Sequence, residues 1–286
     1  MHTQLEPLTY PSASWRRSGE APPSRAWAAT QGYLLEALAQ FPAIGLEQME
    51  AVALMDRMDV KYLLTLAQLR LGLSLLSRDY WVLTINDARL SGYETLYFDT
   101  PDFALYLQHH NGRRQRYKVR ARHYLETNRS FFEIKFKTGN GRTRKHRIET
   151  ARPLLDDGPE MTTVLAAWQL PLAPANLIPT LTNKFSRITL VGKHHPERVT
   201  LDLNLQFQAN GRAVTLPGLV VAEIKQVGLP RASVFARHMR AFHLSPVSFS
   251  KYCIGAAWLY PHLKRNHFKP VLQLVQQLLG DQLHVH

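Results

Sequence analysis

The sequence predicts an α+β protein in which a closed antiparallel β-barrel is flanked by N- and C-terminal helices. Three observations predict it. Short segments through the middle of the chain alternate in polarity with a period of two. Asn-Gly turns, which supply the positive φ that tight hairpins need, join several of them. Finally, several segments have one apolar and one charged face, as a barrel with a charged lumen and an apolar exterior under helices requires.

Taken in order, residues 1–27 are rich in Pro, Ser and Arg without a sustained apolar period and are expected to form a flexible tail. Residues 28–286 are expected to form a single domain. "YLLEALAQF" and "LEQMEAVAL" have helical spacing and are separated by the turn-like "PAIG". Strands follow: "RMDVKYLLT", "SGYETLYFDT", "RQRYKVRARHY", "RSFFEIKFKT", "TRKHRIET", "KFSRITLVG", "RVTLDLNLQF" and "LVVAEIKQVG", with "HHNGR", "TGNGR" and "QANGR" as turns. A helical insertion at about 153–170 contains "MTTVLAAWQL". After Pro230 the chain returns to helix in "RASVFARHMRAFH", "FSKYCIGAAWLY" and "KPVLQLVQQLLG". His109/His110 and His194/His195 abut turn residues and are read as surface turns, and Asp99 of "YFDT" as a turn cap.

The chain of 286 residues has 35 Lys+Arg against 22 Asp+Glu, a formal charge of +13, which favours a polyanionic partner. Its single cysteine, Cys253, excludes an intrachain disulfide and a cysteine-based zinc cluster and suits a reducing compartment. There is no secretory h-region and no run of about 18 apolar residues, so a cytoplasmic protein without a transmembrane segment is expected.

Strand parity sorts the charges. In "RRQRYKVRARHY", Arg114, Arg116, Lys118, Arg120 and Arg122 share one face. "FFEIKFK" sets Glu133, Lys135 and Lys137 against Phe132, Ile134 and Phe136. "RVTLDLNLQF" sets Thr200, Asp202 and Asn204 against Val199, Leu201, Leu203 and Leu205. "RMDVKY" aligns Arg57, Asp59 and Lys61, and "VAEIKQ" pairs Glu223 with Lys225. A solvated polar face explains one such strand. For the whole set, with an acid-x-Lys pair in three strands, an inward-facing cationic lumen is the better account. Guanidinium and ammonium groups suit a phosphate chain. The interspersed carboxylates suit Mg²⁺ or Mn²⁺, which combines one or two carboxylates with substrate phosphates. Together they are equipment for phosphoryl transfer, and no P-loop motif is present.

"MDRMDVKYLL", "YFDT", "KVRARHY", "FFEIKFK", "FSRITL", "RVTLDLNL", "VAEIKQ" and "SFSKY" resemble, in order and spacing, the vacuolar transporter chaperone (VTC) catalytic domain of the triphosphate tunnel metalloenzyme superfamily, over about residues 41–261. The resemblance implies an eight-stranded tunnel that transfers phosphate from a nucleoside triphosphate, ATP, to inorganic polyphosphate with a divalent metal. It implies catalytic phosphate ligands at Lys61, Arg120, Arg122, Lys135, Arg187 and Lys251, with Arg57, Lys118, Lys137 and Lys225 as further phosphate-binding groups. It implies a metal at Glu223, assisted by Glu133 and Asp202. Asp59 stands where the superfamily usually shows Glu, and the regulatory and membrane-spanning portions of eukaryotic complexes are absent, so a stand-alone domain is expected. Two rival readings stay open: a hydrolase of triphosphate or short polyphosphate, and a non-catalytic barrel binding polyphosphate or nucleic acid. Specific nucleic-acid recognition is not expected, because Tyr117 lies opposite the cations of its strand rather than beside them.

Overall fold

The alternating segments form one large sheet. The computed structural model describes residues 25–51, 57–139, 142–151, 159–168, 176–227, 233–280 and 283–285. In chain order the elements are α1 (Arg25–Ala39), β1 (Ala43–Ile44), α2 (Leu46–Ala51), β2 (Arg57–Thr65), α3 (Leu66–Leu73), β3 (Tyr80–Leu83), β4 (Ser91–Asp99), α4 (Ala104–His110), β5 (Arg116–Tyr124), β6 (Arg129–Lys137) and β7 (Thr143–Thr150). They continue with α5 (Pro159–Ala167), β8 (Ile178–Gly192), β9 (Glu197–Ala209), β10 (Arg212–Leu216), β11 (Leu219–Val227), α6 (Val234–Ala241), α7 (Lys251–Leu259), α8 (Lys269–Leu279) and β12 (His284–Val285). Among the described residues no helix is long and apolar enough to cross a membrane.

Eight antiparallel strands form the wall, in the order β2-β11-β9-β8-β4-β5-β6-β7. Two features depart from the expected closed, eight-stranded barrel. The sheet has twelve strands, because β10 folds back on β9, β12 pairs β10, and β3 with β1 extends along β8. Among the described residues no ladder joins β7 to β2, so the barrel is not closed there. The free edge of β2 is instead met by an extended segment before α7, where Val247 N donates to Lys61 O at 2.8 Å.

Of the expected N-terminal tail, residues 1–24 lie outside the described residues. Residues 25–27 belong to α1, and Trp27 is buried against the sheet. His109 and His110 are the last turn of α4 rather than a surface turn, because buried Leu105 and Tyr106 dock that helix on the core. His194 and His195 do lie exposed in a bend.

The apolar faces point outward as the parity argument requires. Phe132 and Ile134 pack with Met161, Val164 and Leu165 of α5, while Val199, Leu201, Leu203, Val220, Ala222 and Ile224 pack under α1, α3 and α6.

One strand breaks the simple alternation. Between β8 and β9 the register shifts from Ser186↔Leu203 to Lys184↔Gln206, and Asn204 takes φ 50°, a bulge that inserts one residue. Leu205 was expected beside Val199; it lies on the opposite face, clustered with Leu63, Leu181, Phe185, Phe207 and Val221. This gives one part of the inner face an apolar lining, and α7, buried from Tyr252 through Leu259, fills it.

Gly255 permits that approach. A Cβ there would meet Phe207 Cδ1 at 2.6 Å and Leu181 Cδ2 at 2.9 Å, both side chains being fixed in the core. Gly255→Ala gains helix propensity of about 1 kcal/mol, but overpacking costs about 1–3 kcal/mol. The expected net result is a lower urea midpoint at unchanged m-value.

Candidate active site

The inner face is a set of register-locked charge rows. On β5, β6 and β7 the aligned residues are Lys118–Lys135–Lys145 in one row and Arg120–Glu133–Arg147 in the next. Across the lumen, β2 and β11 pair Lys61 with Glu223 and Asp59 with Lys225, and β8 and β9 pair Arg187 with Asp202.

Two carboxylates are fully committed to cations. Glu133, wholly buried, receives Arg120 Nε at 2.7 Å and Nη2 at 2.6 Å on Oε2, and Lys145 on Oε1. Asp202 is held by Arg187 through two parallel bonds, 2.5 Å to Oδ1 and 2.8 Å to Oδ2, and by Lys251 on Oδ2. Burial alone would raise both carboxyls. The cations reverse that, and both stay ionised well below the usual carboxylate range.

Glu223 is different. Its nearest cations are Lys225 at 3.4 Å and Lys61 at 3.7 Å, beyond tight ion-pair contact. Against the effect of burial, Lys225, Lys61, Lys135 and Arg187 keep its carboxyl well below its ordinary value.

Lys251 caps this arrangement from α7. Ser250 is the N-cap, accepting from Cys253 N at 3.3 Å. Lys251 therefore sits at the positive end of the helix, where a cation is disfavoured unless an anion faces it. Asp202 is that anion, and the ammonium also lies 4.4 Å over the Phe185 ring. The helix is anchored by Tyr252, whose hydroxyl donates to Asp99 Oδ2; Asp99 also accepts Thr100 N at 2.7 Å and Leu105 N and Tyr106 N at 2.8 Å. Asp99 is thus a buried cap for the turn into α4 and a tether for α7.

Arg122 and Arg187 lean on the same aromatic pair. Tyr93 and Phe185 stack at 5.1 Å, with Arg187 4.9 Å and Arg122 5.6 Å from the Tyr93 ring, and Arg122 Nε donates to Thr95 Oγ1 at 3.1 Å.

A cavity of about 720 Å³ opens beside these rows, walled by Lys61, Lys118, Lys135, Lys137, Glu223 and the 246–250 segment. Lys61 Nζ donates to Phe249 O at 2.8 Å, tying that segment to the wall. The structure therefore brings Lys61, Lys118, Arg120, Arg122, Lys135, Lys137, Arg187, Lys225, Lys251, Glu133, Asp202 and Glu223 to one inner face. Arg57 begins β2, and its side chain lies outside the described residues. Lys145 was missed in the sequence, although the "TGNGR" hairpin register sets it opposite Lys135.

Crowded cations share a low dielectric here. Burial, then Arg120 and Lys225, hold Lys135 well below its ordinary value. Burial pushes Lys118 and Lys251 down to about 8, the latter against the pull of Asp202. Both are cationic below that pH and neutral above it. Affinity of the free protein for inorganic triphosphate is therefore expected to fall as pH rises through about 8, measured by calorimetric titration from pH 7 to 9.5. Folding stability has the opposite sign from these two groups: the unfolded lysines hold more protons between pH 8 and their ordinary values, so this contribution to stability rises with pH there.

Among the described residues no three His, Cys, Asp or Glu side chains converge as a cage. Glu223, ionised and loosely paired in a phosphate-sized cationic cavity, fits a metal whose remaining ligands are phosphate oxygens and water.

The VTC domain profile matches residues 56–260. No curated protein matches the chain. Among solved structures, a putative adenylate cyclase from Bacillus halodurans is 17% identical over 68% of this chain and 96% of its own, with a TM-score of 0.45. A Hippeastrum protein, described as a putative adenylyl cyclase with a dominant triphosphatase activity, is 14% identical over 71% and 96%, with a TM-score of 0.47.

Proposed function

The chain belongs to the VTC domain family, and on that premise we propose that it transfers the terminal phosphoryl group of ATP to a growing inorganic polyphosphate chain inside the cationic lumen, with Mn²⁺ or Mg²⁺ bound. The observation that carries this reading is Glu223, loosely paired with Lys61 at 3.7 Å and Lys225 at 3.4 Å on the same inner face as Lys135 and Arg187.

In this reading Lys61, Arg120, Arg122, Lys135, Arg187 and Lys251 bind and align the donor and chain-end phosphates. Lys118, Lys137, Lys225 and Arg57 extend the phosphate-binding surface. Alignment and neutralisation of charge are most of what phosphoryl transfer requires, because the transferred group carries its negative charge on oxygens that fixed cations can face without reorganising. Glu223 would hold the metal, which would supply Lewis-acid neutralisation of phosphate charge. Glu133 and Asp202 keep their flanking cations in place while preserving a path for anions. Two buried anions inside a strongly cationic wall also limit the self-repulsion that the empty lumen would suffer.

The test is incubation of purified protein with ATP and Mn²⁺, followed by separation of acid-stable polymer from orthophosphate. Polymer is the expected product. Release of orthophosphate alone would replace this reading with hydrolysis of triphosphate on the same inner face, and absence of any metal-dependent product would leave a polyphosphate-binding barrel.

A further inference from the structure

Outside the lumen, three segments at the mouth of the cavity carry cations and no carboxylate: 109–116, 137–139 with 142–143, and 264–269; Asp59 of β2 lines the same cavity. They are distant in sequence and joined in space. Arg116 pairs Lys137, which pairs Thr143. A Cβ on Gly139 would lie 3.9 Å from Gln115 Nε2. The third segment is tied in through Tyr106 Oη, which donates to Lys264 O at 2.8 Å, and through the His110 and His267 rings, 6.1 Å apart. Arg113, Arg114, Lys264, Arg265 and Lys269 are exposed on this collar.

An ordinary solvated surface intersperses both signs of charge. Here the sign is single and the collar is continuous with the cationic cavity. We infer that the collar binds a linear phosphate polymer where it continues beyond the lumen, so that one chain is held at two places. This inference rests on the reading of the lumen as a phosphate site. Each cation that meets a phosphate releases a counterion, so collar binding is salt-dependent, and a chain already held in the lumen meets the collar at high effective concentration. Single-stranded nucleic acid is the poorer fit, because Tyr106, Tyr117 and Phe268 are buried and leave no phenyl or phenol face for base stacking.

The experiment compares wild type with a triple variant of collar cations, Arg113→Ser, Arg114→Ser, Lys264→Ser, using inorganic triphosphate and long-chain inorganic polyphosphate as probes at two salt concentrations. Wild type is expected to bind the long chain more tightly than triphosphate. The variant is expected to lose that gain, on the order of tenfold or more, with a shallower salt dependence and unchanged affinity for triphosphate. Undiminished long-chain binding by the variant overturns the inference. So does equal competition by a single-stranded oligonucleotide of matched charge, which would make the collar a general polyanion surface. If wild type fails to bind triphosphate yet holds the long chain through these three cations, the lumen reading falls and the collar stands.

Discussion

Glu223→Gln is expected to lower metal-dependent turnover by at least about a hundredfold while leaving triphosphate binding intact or tighter. The substitution keeps the side chain's shape and removes the charge that a hard cation needs. It also removes an anion 3.7 Å from Lys61 and 3.4 Å from Lys225, so that bound phosphate meets one competing negative charge fewer at those ammonium groups. Fold stability should change little, since neither contact is a tight ion pair. Two measurements check this: turnover across a Mn²⁺ titration, and Mn²⁺ binding in the presence of a non-hydrolysable triphosphate. Normal turnover at low Mn²⁺ would show that the metal is held elsewhere. Glu133 and Asp202 would then be the remaining candidates, and using either would mean breaking its bonds to arginine and lysine.

Lys251→Ala is expected to reduce turnover on the order of a hundredfold, the scale of one lost preorganised electrostatic contact. The argument is one of placement. A lysine in the first turn of a helix opposes the helix dipole, and this one is tolerated because Asp202 faces it and Phe185 lies beneath it. With Lys251 gone, Asp202 keeps its paired bonds from Arg187. The stability cost is therefore that of one charge-assisted bond, about 2 kcal/mol, a fall in Tm of a few degrees. Arg237→Ala, which removes an exposed cation on α6 outside the barrel, is the control. Equal activities of the two variants would make α7 a packing helix and nothing more.

The lumen and its cations were legible in the sequence because strand geometry is local. A period of two puts Glu133 and Lys135 on one face and Phe132 and Ile134 on the other whatever the rest of the chain does, and the described contacts follow that division. Lys145 is equally legible through its hairpin register, which sets it opposite Lys135 of "EIKFK". The acid-x-Lys repeat set Glu133 and Glu223 on the inner face without separating their states. Glu133 and Glu223 look alike in sequence; one is clamped by Arg120 and Lys145 and the other is loosely held by Lys61 and Lys225.

What the sequence determined by itself was the alternation, the turn positions, the excess of cations and the helices at both ends, since each depends on residues a few positions apart. Tertiary structure alone decided three things. The bulge at Asn204 turned Leu205 and Phe207 inward, because α7 needed an apolar bed and only the packed helix rewards that shift. The gap between β2 and β7 is met by the 246–250 segment, because the edge groups of β2 can bond to any extended chain brought beside them. The pairing of Lys251 with Asp202 joins residues 49 apart. No local pattern encodes that contact; it exists because α7 is seated in the barrel with its N-terminus against β9, where a buried carboxylate without a second cation would be costly.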